Sequence, residues 1–470
     1  MIKKLILIPL LLCLFLTDFA QKKVVKFGQL GELPRQDAAM QQFRNNRFGQ
    51  FIHWGLFSVP GGVWKGKVYP GASEFLKPSA KISTEDWANL KNQFNPIHFN
   101  AAQWAQNAKK MGVKYATLTT KHHEGFCLWP SRYTDFDMEG TPSKRDLVGE
   151  FVKAYNKEGI DVYLYYSVLD WDHPDWRYQL KTKEDSVAFD RFKLYVRNQL
   201  VELLERYPTI KGFWFDGTWD ESWKKNGQFS YELEKELKTI HPGLIVNSRF
   251  RADEYGARHF DSNGILMGDY ESGYERRLPS PYDQVVPTRD WEAVMTVPEN
   301  LWGYHAHWTG HIKTSEELVE MLIRCVALNG NFLLNFGPTP DGVFRKEEMN
   351  LFKQIGKWMD KNGNAVYQCG NAGLERQDWG YYTARKNSDT VNMVVFNVPT
   401  SKLLRVKLSP DMKLSSPQFM GLSGKIKIEE SVKGEFFLRL PDRNYSEPFV
   451  ITIKISPQDG KSNYYMAPLI

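Results

Sequence analysis

At 470 residues the chain exceeds one ordinary compact domain, but a single α/β barrel absorbs about 250 of them, so two folded domains are expected. With 42% hydrophobic and 25% charged residues, and 35 Gly and 24 Pro spread along the chain, it is no disordered tail, coiled coil or collagen-like repeat. The net charge of +6, from 61 basic and 55 acidic residues, is mild for this length and forms no basic block, so nucleic acid is not an expected partner.

In chain order, Met1-Ile2-Lys3-Lys4 is a short positive segment. Residues 5–16 form an apolar run too short to span a bilayer, and Ala20 offers a residue before a cut. Residues 1–20 are read as a secretory signal peptide. Export to the periplasm or the medium is therefore expected. No later segment is apolar for about 18 residues, so no membrane insertion is expected. The remaining cysteines, Cys127, Cys325 and Cys369, are odd in number, contain no CxxC pair and have no zinc-site spacing.

From about residue 47, short apolar runs alternate with amphipathic stretches. Strand-like runs include Phe48-Gly49-Gln50-Phe51-Ile52-His53, Tyr115-Ala116-Thr117-Leu118-Thr119, Val162-Tyr163-Leu164-Tyr165-Tyr166-Ser167, Gly212-Phe213-Trp214-Phe215-Asp216, Leu244-Ile245-Val246-Asn247, Ile265-Leu266-Met267-Gly268-Asp269 and Asn331-Phe332-Leu333-Leu334-Asn335. Helical periods lie between them at 101–111, 146–158, 189–207 and 315–328. Such alternation predicts a closed (β/α)8-like barrel over residues 21–365, and no GxGxxG turn argues for an open dinucleotide-binding sheet. After a helix at 346–361 the texture becomes alternating strands and turns, which predicts an antiparallel β-sandwich over residues 366–470.

Catalytic groups of such barrels sit at the C-terminal ends of the strands. Four strand ends carry chemistry: His53-Trp54, Lys121-His122-His123-Glu124, Trp171-Asp172 and Phe215-Asp216-Gly217. Asp216 stands out, because the next long helix starts well downstream near Ser230 and capping does not explain it. His122 and His123 are adjacent and form no HxH or HxxxH pair with His53. Hydrogen bonding to hydroxyls is expected of these histidines, not metal binding, and no cofactor is implied. The 29 Phe, 22 Tyr and 15 Trp suit a protein that grips sugars, whose C–H faces stack on rings, although a large aromatic core has the same composition.

Several motifs, in order from about residue 40 to 365, resemble the α-L-fucosidases of glycoside hydrolase family 29. They are Arg47-Phe48-Gly49-Gln50-Phe51-Ile52-His53-Trp54-Gly55, Thr120-Lys121-His122-His123-Glu124-Gly125-Phe126, Tyr165-Tyr166-Ser167, Trp214-Phe215-Asp216-Gly217, Asn247-Ser248-Arg249 and Gly330-Asn331-Phe332-Leu333-Leu334-Asn335-Phe336-Gly337-Pro338. The resemblance implies a retaining exo-glycosidase that releases terminal α-L-fucose from an oligosaccharide, polysaccharide or glycoprotein glycan. It puts the nucleophile on Asp216 and places His53, His122, His123, Trp214 and Arg249 around the sugar. Strand alternation lets only one of Tyr165 and Tyr166 face the sugar, and Tyr166 is taken as that residue. The family's Gly-Asp-aromatic spacing, read on Gly268-Asp269-Tyr270, selects Glu275 as general acid/base, with Glu271 second and Glu292 third. Retention needs two carboxyls about 5–5.5 Å apart. Where the family carries Glu-Trp-Tyr, this chain has Ser73-Glu74-Phe75-Leu76, so Glu74 keeps the acidic position and Phe75 replaces the Trp. An α-L-galactosidase on the same scaffold is one alternative. A secreted carbohydrate-binding protein without catalysis is the other.

Overall fold

The computed structural model of the protein describes residues 22–458 apart from Pro281 and Gln284. The expected signal peptide lies outside the described residues. Eight parallel strands make the first sheet: β1 (Phe48–Ile52), β2 (Tyr115–Lys121), β3 (Asp161–Ser167), β4 (Gly212–Asp216), β5 (Ile245–Val246), β6 (Glu271–Glu275), β7 (Trp291–Thr296) and β8 (Asn331–Phe336). Their order, β5-β4-β3-β2-β1-β8-β7-β6, follows the chain around a ring. A parallel bridge between Asn247 and Tyr270 joins the two ends, β5 and β6. The result is a (β/α)8-like barrel. Its strands are short and buried on both faces, which is why they read as continuous apolar runs.

Helices wrap the ring, and their ends follow local capping chemistry. Helix α1 (Ala38–Asn46) starts where Asp37 accepts the amides of Ala39 and Met40. Helix α2 (Ala101–Met111) ends at Gly112, whose φ of 94° suits glycine. Helix α3 (Leu147–Lys157) follows β2. Helix α4 (Lys183–Arg206) begins six residues before the expected 189, because Thr182 and Asp185 form a reciprocal capping box upstream of the apolar period. Helix α5 (Gly227–Ile240) follows β4, α6 (Ser315–Ala327) opens on the capping box of Thr314 and Glu317, and α7 (Lys346–Asn362) closes the barrel.

Strand alternation divides the apolar residues between two layers. Phe51, Tyr115, Tyr163, Tyr165, Trp214, Ile245, Tyr270, Val294 and Leu333 fill the barrel interior, with Met40 and Phe43 of α1 plugging one end. Val162, Leu164 and Tyr166 belong instead to the layer between sheet and helices. The interior is thus a stack of aromatic rings with the site on top.

Beyond the barrel, two antiparallel sheets form the C-terminal sandwich. One holds Cys369–Gly370, Gly380–Arg385, Thr390–Val395, Phe449–Pro457 and Met412–Met420; the other holds Leu403–Lys407, Glu435–Arg439 and Lys427–Val432. They share a separate core that includes Val391, Leu404, Leu438 and Ile451. The sandwich rests on α7, where Trp358 Nε1 donates to the Pro448 carbonyl at 2.8 Å. Arg47, at the foot of β1, donates to the Cys369 carbonyl at 2.7 Å. Cys127, Cys325 and Cys369 are free and buried. Among the described residues no helix is long and apolar enough to cross a membrane.

Candidate active site

The C-terminal ends of the strands surround a cavity of ≈ 180 Å³. Asp216 ends β4 inside it, and Gly217 follows with a φ of 76°, so the chain turns away directly behind the carboxylate. Arg249 Nη1 donates to Asp216 Oδ1 at 3.1 Å, and Tyr165 Oη donates to Asp216 Oδ2, also at 3.1 Å. His123 Nε2 lies 3.9 Å from Oδ2. Burial alone would raise the Asp216 carboxyl. Arg249, then His123 and His122, with the Gly217 amide, outweigh that and hold it at about 2. The group is therefore a carboxylate at any ordinary pH.

Arg249 also reaches the second carboxyl of the cavity. Its Nη2 stands 2.5 Å from Glu275 Oε1, and it donates to the Ser272 carbonyl at 3.0 Å. The guanidinium lies over the Trp214 ring, 4.7 Å from the centroid. Glu275 and Asp216, despite the burial of Arg249, keep its charge firmly in place. One buried cation thus brings the two carboxyls to a shared centre.

Glu271 takes a different direction. It is buried against His259, whose Nδ1 lies 3.1 Å from Oε1, and it does not line the cavity. On a regular strand residues four apart share a face. Here two residues of β6, Ser272 and Gly273, oppose the single Glu292 of β7 between the pairs Glu271/Trp291 and Tyr274/Ala293, so a bulge breaks the alternation and turns Glu275 alone into the cavity. Glu292 lies below, wholly buried in the barrel, where it accepts from Tyr115 Oη at 2.6 Å and Trp214 Nε1 at 3.0 Å.

Three imidazoles form one wall. The Asn335 amide nitrogen donates to the Trp302 carbonyl at 2.7 Å, so its oxygen accepts from His53 Nδ1 at 2.6 Å. Ser167 donates to the Leu169 carbonyl at 2.7 Å and so accepts from His123 Nδ1 at 2.7 Å. Burial, reinforced by His122, lowers His53 to about 3 and holds His123 well below the usual range. Both rings are neutral, and each keeps an Nε2 lone pair free to accept a hydroxyl proton. His122 stacks on Tyr165 with centroids 5.4 Å apart and planes 8° apart, and its Nδ1 is 3.6 Å from Glu124. Glu74 contributes a buried carboxyl; Oε2 accepts the Gly303 amide at 3.2 Å, while Oε1 has no partner among the described residues. Burial raises Glu74 above the ordinary carboxyl range, against the pull of His122.

Among the residues expected at the site, His53, Glu74, His122, His123, Trp214, Asp216, Arg249 and Glu275 line the cavity together. Tyr166 does not, and the choice between the two tyrosines is corrected. Tyr166 points outward and donates to Gln199 of α4 at 2.8 Å, whereas Tyr165 faces the cavity. Only one of the pair faces inward, and the parity of β3 follows Tyr163, whose ring fills the interior. Phe51, Trp219, Arg276 and Trp302 also line the cavity and went unassigned in the sequence. Phe51 precedes His53 by two positions on one strand and so shares its face, a signal that alternation alone offers. Trp219 and Trp302 sit on irregular loops that give no such signal. Among the described residues no group of three or more His, Cys, Asp or Glu is arranged to hold a metal ion.

A closed (β/α)8-like barrel with two carboxyls in one sugar-sized cavity, among rings and hydroxyl acceptors, defines a glycoside hydrolase. The α-L-fucosidase family model matches residues 20–364. Human tissue α-L-fucosidase (Homo sapiens) is 28% identical over 432 residues, covering 88% of this chain and 88% of that protein. Human plasma α-L-fucosidase is 31% identical over 383 residues, covering 77% and 74% respectively. The crystal structure of a family 29 α-L-fucosidase from Bacteroides thetaiotaomicron has a TM-score of 0.90 and 53% identity, covering 93% of this chain and 99% of that one. The same values for TM-score and identity hold for a trapped covalent intermediate of a Bacteroides thetaiotaomicron enzyme with 2-fluoro-fucosyl fluoride. The chain belongs to the α-L-fucosidase family.

Proposed function

We propose that this glycosidase is a retaining exo-α-L-fucosidase in which Asp216 is the nucleophile and Glu275 the general acid/base. The observation that carries the reading is Arg249, which contacts both carboxyls on one cavity wall at 3.1 and 2.5 Å. In the first step an Asp216 oxygen attacks the anomeric carbon, the bond to the leaving oxygen breaks, and Glu275 gives that oxygen its proton. In the second step Glu275 takes a proton from water, the water oxygen bonds to the anomeric carbon, and the Asp216 ester is released. A nucleophile must be ionised, and the Arg249 guanidinium and the hydrogen-bond donors around Asp216 keep it so. His53 and His123 accept sugar hydroxyls, and Trp214 and Tyr165 wall the ring plane. The absence of the family's Trp at Phe75 bears on the sugar, since a smaller ring leaves more room near carbon six. Apolar rims favour the methyl group of fucose over the hydroxymethyl of L-galactose, although an apolar wall rejects an added hydroxyl by only roughly a hundredfold. Residues 1–20 support export of the enzyme, where fucosylated glycans are its substrates.

The test is Asp216→Gly. Turnover of aryl α-L-fucosides should fall by several orders of magnitude, and azide should restore part of it as β-L-fucosyl azide, by attack from the vacated side. Near-normal turnover in the variant contradicts the assignment. The kcat/KM ratio for 4-nitrophenyl α-L-fucoside over the α-L-galactoside should exceed one; a ratio below one assigns the site to L-galactose.

A further inference from the structure

At the mouth of the cavity the chain leaves aromatic rings exposed to water. Trp219, three residues past Asp216, is 38% exposed and the most exposed of the chain's 15 tryptophans. It lines the catalytic cavity, edge-on to His123 with centroids 5.1 Å apart. The same ring also lines a separate open groove of ≈ 440 Å³, together with Tyr178, Lys181, Asp220 and Glu221. Tyr178, which lines that groove and not the cavity, is 56% exposed. Its loop is tied to the Trp219 loop by the Ser222 amide, which donates to the Tyr178 carbonyl at 3.1 Å. Two large rings lining one groove leave this much of their surface in water, and such apolar patches mark contact sites.

The geometry points to this groove as the subsite for the leaving-group part of the glycan, with Tyr178 and Trp219 as its stacking platform. The inference rests on the reading of the cavity as the site of the terminal sugar. An exo-acting glycosidase encloses the terminal residue, so the rest of the chain must leave through the mouth. Trp219 is the wall common to cavity and groove, so a chain leaving past it enters the groove. The occupant is a neutral hexose or N-acetylhexosamine bonded to the fucose. Pyranose C–H faces cover rings of this kind, and Lys181 and Glu221 at the rim supply a donor and an acceptor for ring hydroxyls. Tyr178 is outside the catalytic cavity, so it acts on the leaving sugar alone.

The experiment compares wild type, Tyr178→Ala and Tyr178→Phe on two kinds of substrate. α-L-Fucosyl fluoride has no sugar on the leaving side; α-L-fucosyl disaccharides with 1→2, 1→3, 1→4 and 1→6 linkages do. Tyr178→Ala should leave kcat/KM on the fluoride unchanged and lower it about three- to tenfold on at least one disaccharide linkage. Tyr178→Phe, which keeps the ring, should retain the disaccharide rate. Equal losses on fluoride and disaccharides, or no loss on any disaccharide, overturns the subsite while leaving the fucosidase reading intact. A wild-type enzyme inert to the fluoride overturns both.

Discussion

Arg249 contacts Asp216 and Glu275, donates to the Ser272 carbonyl and lies over Trp214, so four parts of the site depend on one side chain. Around it, position decides role. Glu275→Ala should slow substrates with poor leaving groups far more than activated aryl fucosides, because a good leaving group needs little protonation. Glu271→Ala should show no such dependence, since its carboxyl is turned to His259; the reverse pattern across a series of aryl fucosides contradicts the assignment. Tyr165→Phe should lower kcat by roughly tenfold through loss of the hydrogen bond to Asp216. Tyr166→Phe should leave kcat unchanged and cost about 1 kcal/mol of stability, its hydroxyl being spent on Gln199. Paired kinetics and urea melts separate the two. At this scale Asp216 was readable in sequence, because it is a carboxylate closing an otherwise apolar strand at the end where such barrels carry their chemistry. Which tyrosine faces inward was not, since alternation gives parity only relative to a neighbour whose direction is already known. Nor was Trp219, because loop backbones have no period.

Elements carry the part of the site that no single residue shows. The bulge in β6 places Glu275 and not Glu271 in the cavity, and the sequence of that strand holds no signal for it beyond the family spacing. The alternation of short strands and capped helices, by contrast, was readable from β1 to β5 and again at β8. The apolar run at 265–269 reads as a strand but forms none, the strand-forming segments being β6 and β7 just after it, and α4 starts earlier than its apolar period indicates. Beneath the site, Glu292 of β7 joins Tyr115 of β2 to Trp214 of β4 across the barrel. Burial pushes its carboxyl up to about 7, against the hydrogen bonds from Tyr115 and Trp214. An unfolded Glu titrates near about 4.3, so the folded protein holds this proton more tightly. That stabilisation is full below the unfolded value and is lost as pH rises through about 7. Glu292→Gln loses no stability this way, so it should gain on wild type between about pH 5 and about pH 8, by on the order of 3 kcal/mol. Urea melts of both proteins at the two pH values check it, and a gap that does not change with pH contradicts it.

At the scale of the whole molecule, the barrel supplies the chemistry and the sandwich a separately cored support docked on α7 and the foot of β1. The change of texture after α7 made that division readable, because strands buried on one face alternate whereas barrel strands do not. Export is testable on the intact protein: the secreted form should begin at Gln21, and N-terminal sequencing that finds residues 1–20 retained contradicts the signal-peptide reading. In the proposed mechanism one carboxylate, at the end of β4, forms the covalent bond to the sugar. Incubation with 2-fluoro-fucosyl fluoride followed by proteolysis and mass spectrometry tests it most directly. A single 2-fluorofucosyl adduct is expected on the peptide that contains Asp216, absent from Asp216→Gly; an adduct on Glu275, on another residue, or none while the enzyme turns over aryl fucosides, contradicts Asp216 as nucleophile.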